Sequence, residues 1–229
     1  MALTLTPRQK EILSCEDRII IINCPPGSGK TAVAASLINK AKDYRYLALT
    51  FNKRAAAELQ ERAGVEKKNI DTTGTKSYCS TFHSFCFDIL TEREIIRKEK
   101  LPLTYINALL NSLLEKYTNS IPTFEWTNEQ ITDSTEIETP QQEMLSCYDI
   151  ATLLEIDPLN FFDKNPYLFP LCNQIPNVRK LFIEFLAQKK INKWNTYADL
   201  LKLTKEALEK TPEVFDYIII DEAQDLDKL

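Results

Sequence analysis

The placement of glycine constrains the fold of this 229-residue chain more than any other feature of its sequence. The chain has only four glycines, and two of them, Gly27 and Gly29, lie in one short stretch from Cys24 to Thr31. Four consecutive isoleucines, at 19–22, precede this stretch, and an alanine-rich segment follows it. Glycine permits a positive φ angle and a close approach of the backbone to another group. The order of residues therefore predicts a strand, a tight loop and then a helix.

The residues of this loop have the composition of a phosphate-binding site. Gly27 and Gly29 let backbone N–H groups curl around phosphate oxygens, and the start of the following helix adds unpaired donors. Lys30 can reach the β- and γ-phosphates of a nucleotide, and the Thr31 hydroxyl can ligate Mg²⁺. Cys24 stands where the usual motif begins with a glycine or alanine, which is a small departure. The alternative is a plain strand-to-helix turn that contains glycines.

A second pair of chemically active residues follows an apolar run late in the sequence. Asp221 and Glu222 come directly after residues 215–220, whose composition is that of a buried strand. A carboxylate at the end of a buried strand is costly unless it is paired or binds a metal. Asp221 is therefore predicted to hold Mg²⁺, directly or through water, and Glu222 to accept a proton from the water that attacks the γ-phosphate. The alternative is an acidic turn after a strand.

The order of elements predicts an α/β core that is interrupted by a helical insertion. Strands and helices are expected in alternation, at 18–23, 31–42, 46–51, 53–63 and 78–82, and again at 196–210 and 215–220. This alternation is typical of a doubly wound, parallel sheet. Residues 91–194 instead show helical spacing broken by polar stretches, of which 118–142 is predicted to be a loop. We therefore assign 1–90 and 195–229 to one α/β domain, and 91–194 to an inserted helical subdomain.

Composition and charge restrict the compartment and the partners. Hydrophobic residues make up 44% of the chain and charged residues 27%, the balance of a soluble globular protein. No apolar run approaches the ~20 residues that cross a bilayer, and the first ten residues lack a signal-peptide stretch, so we expect a cytoplasmic protein without a membrane partner. The chain carries a net charge of −5, yet basic residues outnumber acidic ones in residues 1–90. The N-terminal part is therefore the better candidate for binding an anion.

Taken together, several stretches resemble the UvrD/Rep-type DNA helicases of superfamily one. In chain order they are similar to that family's Q motif at 5–9, Walker A at 24–31, motif Ia at 49–59, motif Ib at 80–84 and motif II at 218–225, with a further recurring element at 197–201. The resemblance implies a P-loop, RecA-like parallel sheet with helices on both faces, interrupted by a mainly helical insertion. It implies ATP and Mg²⁺ as cofactors and single-stranded DNA as the partner, with duplex junctions as a further candidate. The implied activity is ATP-dependent translocation and DNA unwinding.

The same resemblance assigns roles to individual residues. The nucleotide would be held by Pro26, Gly27, Ser28, Gly29, Lys30 and Thr31, with Gln9 reading the adenine through its amide. The DNA path would pass Phe51, Asn52, Phe82 and His83, where aromatic faces stack on bases. Core packing is the alternative for the two phenylalanines and the histidine. The chain also departs from the usual motif Ia pattern, so Lys53 or Arg54 is expected to contact a phosphate, and the sequence leaves open which one.

A basic run in the inserted region allows two interpretations. It comprises Arg179, Lys180, Lys189, Lys190 and Lys193. These residues form either a DNA-facing edge of the insertion or a solvated helix face.

The resemblance covers only the first lobe of such helicases. In that family, a strand that would follow Leu229 here lies between the Walker A strand and the motif II strand. We therefore expect an N-terminal piece of a longer helicase, with a second lobe C-terminal to Leu229, or a remnant whose sheet has closed in another way. The alternative functions are a non-catalytic module that binds nucleotide or DNA, and an unrelated P-loop kinase or transferase.

Overall fold

The structure, a computed structural model, describes residues 5–25, 27–72, 74–97, 103–118 and 139–223. The chain divides into two compact units. The first contains the residues up to Asp88 together with those from Leu208 onward, and the second is Ile89–Ala207. The sequence predicts that the α/β domain resumes at residue 195. In the structure the first unit resumes at Leu208, which lies inside the helix Tyr197–Lys210.

The first unit contains α1 (Pro7–Ser14), α2 (Lys30–Lys40), β1 (Tyr46–Thr50), α3 (Lys53–Ala63), β2 (Lys68–Ile70), β3 (Lys76–Thr81), most of α4 (Phe82–Glu92) and β4 (Tyr217–Ile220). Five of these elements, α2, β1, α3, β3 and β4, are predicted by the sequence, some with shifted ends, and three, α1, β2 and α4, are not. The bounds predicted for α3 are confirmed, because both ends carry local signals. The Asn52 side chain accepts a hydrogen bond from the Ala55 N–H at 2.8 Å, and Gly64 ends the helix with φ 61°.

The four strands form one mixed sheet in the order β2-β3-β1-β4. β3, β1 and β4 are parallel, with Thr50 opposite Thr81 and Leu49 opposite Ile220. β2 runs antiparallel to β3, so the expectation of a wholly parallel sheet is wrong at this edge. The reason is the short connection at 71–75, because a parallel pair needs a crossover of a dozen or more residues.

Side chains on alternate residues of the sheet pack against helices on its two faces. Cys79 of β3 and Ala48 of β1 lie in one buried cluster with Ile38 of α2 and Leu59 of α3. Tyr78, the neighbour of Cys79, points to the opposite face, where its ring meets that of Phe85 in α4 at a centroid distance of 5.2 Å.

The isoleucine run at 19–22 is not a strand, so the prediction of a buried strand over 18–23 is wrong in this structure. Ile19 and Ile21 are 77% and 88% exposed. β-branched residues favour a strand, but a strand forms only where a neighbour accepts its hydrogen bonds. Among the described strands, β4 pairs only with β1, at the end of the sheet. Its residue Ile218 is 62% exposed. Two apolar segments of this unit therefore lie open to solvent.

The second unit is helical. It contains α5 (Leu103–Thr118), α6 (Pro140–Leu153), α7 (Pro158–Lys164), a 3-10 turn (Pro166–Leu168), α8 (Pro170–Asn173), α9 (Val178–Asn192) and most of α10 (Tyr197–Lys210). Its core is one cluster that includes Leu110, Phe162, Phe182 and Phe185. The predicted loop at 118–142 is too long at its C-terminal end, because Thr139 caps α6 and the helix begins at Pro140; residues 119–138 lie outside the described part. No helix in the described part is long and apolar enough to cross a bilayer.

Only part of the basic run is open to solvent. The Lys189 ammonium is buried and forms an ion pair with Asp199 at 2.7 Å, and the Tyr148 hydroxyl donates to the same carboxylate at 2.7 Å. Burial also raises the pKa of Asp149, the residue that follows Tyr148 in α6, to about 6. Lys189 is therefore a structural residue of the helical unit, which excludes it from both interpretations of the run as a surface.

Candidate functional site

The glycine loop presents backbone donors at the start of α2. Gly29 is the N-cap of this helix with φ 87°, and no side chain of the described residues caps the first turn. Gly27 also has a positive φ, 77°, which places both glycines in the left-handed region. The uncapped N–H groups and the helix dipole together favour an anion at this point. Pro26, the other predicted contact of the loop, lies outside the described residues.

The side chains of the loop hold it closed on itself. The Lys30 ammonium donates to the Cys24 carbonyl oxygen at 3.2 Å, and the Ser28 hydroxyl donates to the Cys24 sulfur at 2.9 Å. A phosphate oxygen is a stronger acceptor for an ammonium than a neutral carbonyl is. Lys30 is thus placed to exchange its contact with Cys24 for one with a bound phosphate.

Gln9 connects α1 to the loop, a contact that the sequence did not indicate. Its amide oxygen accepts from the Thr6 N–H at 2.9 Å, which completes a capping box, and its amide nitrogen donates to the Ser28 carbonyl at 3.1 Å. The φ of 87° at Gly29 is one that L side chains rarely adopt, and a Cβ atom there would lie 2.7 Å from that nitrogen and displace the Gln9 amide. One amide hydrogen of Gln9 is left for an adenine ring, and the adenine role stays a prediction.

Asp221 is held rigidly at the end of β4. Its backbone N–H donates to the Leu49 carbonyl at 2.9 Å, which continues the pairing of β4 with β1 by one residue. The residue is only 6% exposed, and its Oδ1 accepts from the Glu222 N–H at 3.0 Å. Oδ2 is buried and has no hydrogen-bond partner among the described residues. The Thr31 side chain nevertheless lies near enough to this carboxylate to lower its pKa, as a hydrogen-bond donor does.

The glycine loop and the strand-end carboxylate act on each other electrostatically. Burial raises the pKa of Asp221, and the charge of Glu222 raises it further. The Glu222 N–H, the Thr31 side chain and the Lys30 ammonium lower the pKa and so offset part of this effect. Two stretches of chain that are far apart in sequence therefore meet at one edge of the sheet.

These groups fit a hard divalent cation. Mg²⁺ binds oxygen ligands, keeps several waters, and is usually held by one or two protein groups together with substrate phosphates. The orphaned Oδ2 of Asp221 and the Thr31 hydroxyl are such ligands. The next residue, Glu222, has φ 57°, a conformation that costs a non-glycine residue energy and is common at functional sites.

The predicted DNA residues follow the ends of neighbouring strands at this same edge. Phe51 and Asn52 follow β1, and Phe82 and His83 follow β3, while Asp221 follows β4. Since Thr50 lies opposite Thr81, the two pairs of positions start at the same level of the sheet. The parallel register thus brings these four residues and the carboxylate to one side of the unit.

The side chains of these predicted DNA residues differ in their exposure and in whether a hydrogen bond already occupies them. The Asn52 side-chain oxygen Oδ1 already caps α3, which leaves the side-chain N–H₂ as the available donor. Lys53 and Arg54 are exposed in the first turn of that helix. Phe51, Phe82 and His83 are half-buried. Burial lowers the pKa of His83, so its ring is uncharged at neutral pH. In the uncharged form the His83 ring can stack on a base or form a neutral hydrogen bond.

Arg45 is a residue that positions the site and that sequence reasoning missed. Its guanidinium donates to the Val214 carbonyl at 2.8 Å and to the carboxylate of Glu213, and lies 4.6 Å from the ring centroid of Phe215. Its backbone N–H donates to the Asp216 side chain at 2.8 Å. These contacts fix the segment that leads into β4 and Asp221. A single arginine before a strand carries no signal in the sequence that could have revealed them.

The fold and the site together define an α/β protein in which a glycine loop, a lysine and a strand-end carboxylate meet at one edge of a mixed sheet. The chain belongs to the UvrD/REP helicase N-terminal domain family, whose sequence model matches residues 5–229. No solved structure gives a significant match.

Several curated proteins are similar to this chain. A probable DNA helicase II homolog of Mycoplasma genitalium is 26% identical over 248 residues, covering 98% of this chain and 32% of that protein. The ATP-dependent DNA helicase UvrD1 of Mycobacterium leprae is 38% identical over 92 residues, covering 38% of this chain and 12% of that protein. A probable DNA helicase II homolog of Mycoplasma capricolum is 27% identical over 245 residues, covering 93% of this chain and 29% of that protein. The chain thus spans at most about a third of these relatives' length.

Proposed function

We propose that this chain binds ATP with Mg²⁺ in a P-loop, RecA-like site and forms the first lobe of a cytoplasmic DNA helicase. The observation that carries the proposal is the buried carboxylate of Asp221, influenced electrostatically by Thr31 and Lys30, whose Oδ2 has no hydrogen bond of ordinary geometry to any described residue. The names of the relatives support it, since they include DNA helicase II and ATP-dependent DNA helicase UvrD1.

Each group has a part in hydrolysis that follows from its chemistry. Gly27, Gly29 and the start of α2 bind phosphate oxygens through backbone N–H groups, and Lys30 neutralises charge on the β- and γ-phosphates. Bound Mg²⁺ supplies charge neutralisation at the phosphates, and Thr31 with Asp221 would hold it. Glu222 accepts the proton of the attacking water.

Single-stranded DNA is the proposed polymer partner. Phe51 and Phe82 offer ring faces for base stacking, and Asn52 and His83 offer polar contacts. Lys53 and Arg54 are both exposed near the start of α3, so either can contact a phosphate. Because these residues share a sheet edge with Asp221, DNA binding and nucleotide chemistry are close enough to be coupled.

We expect this chain alone to bind nucleotide with little turnover, because the second lobe needed for activity lies outside it. In a chain extended to the length of the relatives, ATP hydrolysis should be stimulated by single-stranded DNA and lost in Lys30→Ala and Glu222→Gln. The two variants separate binding from chemistry. Lys30→Ala weakens both, whereas Glu222→Gln keeps the side-chain shape and lowers turnover by at least about 100-fold while nucleotide still binds. The measurement is phosphate release with and without a thymidine oligonucleotide, together with titration of a fluorescent ATP analogue. Lys42→Ala, an exposed lysine just beyond α2, is the matched control.

The same measurements distinguish a helicase lobe from a non-catalytic binding module. Nucleotide binding without any turnover in the extended chain supports a non-catalytic nucleotide- or DNA-binding module. Failure to bind nucleotide with Mg²⁺ would contradict the proposed ATP site and leave only a DNA-binding module.

We further propose that residues 19–22 and β4 are joined by an additional strand in a longer chain that also carries a second lobe. The exposed Ile19, Ile21 and Ile218 support this, as does the greater length of the relatives. The N–H groups of Tyr217 and Asp221 point to β1, so alternation along the strand turns those of Ile218 and Ile220 outward.

Hydrogen exchange tests the additional strand. In the present chain, the amides of Ile218 and Ile220 should exchange at least about tenfold faster than that of Asp221, which is hydrogen-bonded to β1. In a chain extended to the length of the relatives, they should become as protected as Asp221. Fast exchange of both outward amides in the longer chain would refute the strand.

A further inference from the structure

An aromatic pair with one exposed ring lies on the helical unit. Tyr105 of α5 and Trp194, which follows α9, stack with a centroid distance of 5.9 Å and an angle of 10° between the rings. Tyr105 is 57% exposed, while Trp194 is half-buried against the core of the unit. The core thus fixes the tryptophan, and the tryptophan in turn positions the tyrosine ring at the surface.

Two unpaired lysines accompany this pair. Lys190 lies in the last turn of α9 and Lys193 is its C-cap, with φ 54°, and both are exposed. Lys189 and Arg179 have acidic partners in Asp199 and Asp163, but Lys190 and Lys193, like Lys180, form no ion pair with any described residue.

The sequence near Tyr105, Lys190, Lys193 and Trp194 lacks acidic residues, which keeps this patch positively charged. Residues 103–114 and 185–198 contain no Asp or Glu. The exposed side chain of Ile191, between the two lysines, adds apolar surface. Lysines at a helix C-terminus are also favourable for the helix dipole, which is the purely structural explanation of their placement.

The exposed tyrosine ring and the two lysines together indicate which kind of partner would bind here. Exposed ring faces bind flat bases, and cations that are not already paired bind phosphates, so the two together suit a polymer that carries both. An acidic protein would satisfy the lysines but would not need a stacked tyrosine and tryptophan. A duplex hides the faces of its bases, whereas a single strand presents them.

We propose that Tyr105, Lys190, Lys193 and Trp194 form a second contact for single-stranded DNA, the helical-unit contact. Bases stack on the tyrosine ring and phosphates bind the two lysines. This inference rests on the proposed function, in that DNA is the polymer, and it adds a site that none of the helicase motifs contains.

The test uses the full chain with Trp126→Phe as the background. The chain has two tryptophans, so Trp194 then becomes the sole source of tryptophan fluorescence. Binding of a fluorescein-labelled thymidine 20-mer is measured by anisotropy across a range of salt concentrations. We compare Lys190→Gln combined with Lys193→Gln, Tyr105→Ala, and the conservative Tyr105→Phe. Lys180→Gln is the matched control, because Lys180 is exposed on the same helix and likewise unpaired among the described residues.

The expected results are quantitative. The double lysine variant should bind about tenfold more weakly, and the slope of log K against log salt should fall by about 1.4, or about 0.7 for each lost phosphate contact. Tyr105→Ala should weaken binding about tenfold, Tyr105→Phe should bind like the background, and Lys180→Gln should change neither affinity nor slope. The unlabelled 20-mer should change the emission of Trp194, and Tyr105→Ala should reduce that change.

Several outcomes would overturn the contact. If the background protein binds the 20-mer and the double variant keeps its affinity and salt slope, the contact is wrong while the proposed function stands. If the background protein binds ATP but no oligonucleotide at low salt, the DNA part of the proposed function fails as well. Poly-glutamate that competes fully with the 20-mer, with no change in Trp194 emission, would point to an acidic protein as the partner. Thermal unfolding checks that Tyr105→Ala is folded, and the lysine variants leave the core untouched.

Discussion

Asp221→Asn is expected to weaken Mg²⁺-dependent nucleotide binding about 100-fold and, at the same time, to stabilise the protein without ligand by ~1 kcal/mol. Both effects have one cause. Oδ2 of Asp221 is buried without a partner among the described residues, and burial raises the pKa of the group, so the carboxylate charge is costly until a cation pairs with it. Asparagine removes the charge and most of the affinity for Mg²⁺ while nearly preserving the shape.

The measurement is a titration of a fluorescent ATP analogue with Mg²⁺ and again with a chelator, together with urea unfolding of the unliganded chain. The loss of affinity should appear only with Mg²⁺, because without metal the substitution removes repulsion between a carboxylate and the phosphates. Asp43→Asn, an exposed carboxylate in the same unit, serves as the control. Equal affinity of parent and variant with Mg²⁺ would rule out Asp221 as a metal ligand.

Arg45→Ala is expected to lower the free energy of unfolding of the α/β unit by ~3 kcal/mol. The substitution removes the hydrogen bonds of the guanidinium to the Val214 and Lys76 carbonyls and its ion pair with Glu213, and it exposes the Phe215 ring. Since this segment leads into β4, Asp221 loses its fixed position and nucleotide affinity falls with stability.

Urea unfolding and the same nucleotide titration test Arg45 together. Arg45→Lys should recover less than half of the lost stability, because an ammonium cannot reproduce the planar fork of donors. Arg62→Ala is the comparison, since Arg62 forms an exposed pair with Glu58 in α3 and should cost under ~0.5 kcal/mol. A wild-type unfolding curve for Arg45→Ala would show that backbone pairing alone holds β4.

Most of the site could be predicted from the sequence because its signals are local. Gly27 and Gly29 have positive φ angles, and their spacing from Lys30 and Thr31 is fixed by the chain itself. The end of a strand before Asp221 is likewise a local feature, which is why a carboxylate was expected there. The Asn52 cap of α3 is a local feature of the same kind, whereas the contact of Gln9 was less visible, since its partner is the Ser28 carbonyl, distant in sequence.

The sequence by itself determined the elements whose residues carry their own signals, such as α3 between Asn52 and Gly64 and the glycine loop before α2. Only the tertiary structure decided that the isoleucines at 19–22 stay exposed outside any strand, that Lys189 is buried against Asp199, and that Arg45 holds the approach to β4. The physical reason is that caps and glycine conformations depend on neighbours in sequence. Strand pairing and ion pairs depend on partners that only folding brings close.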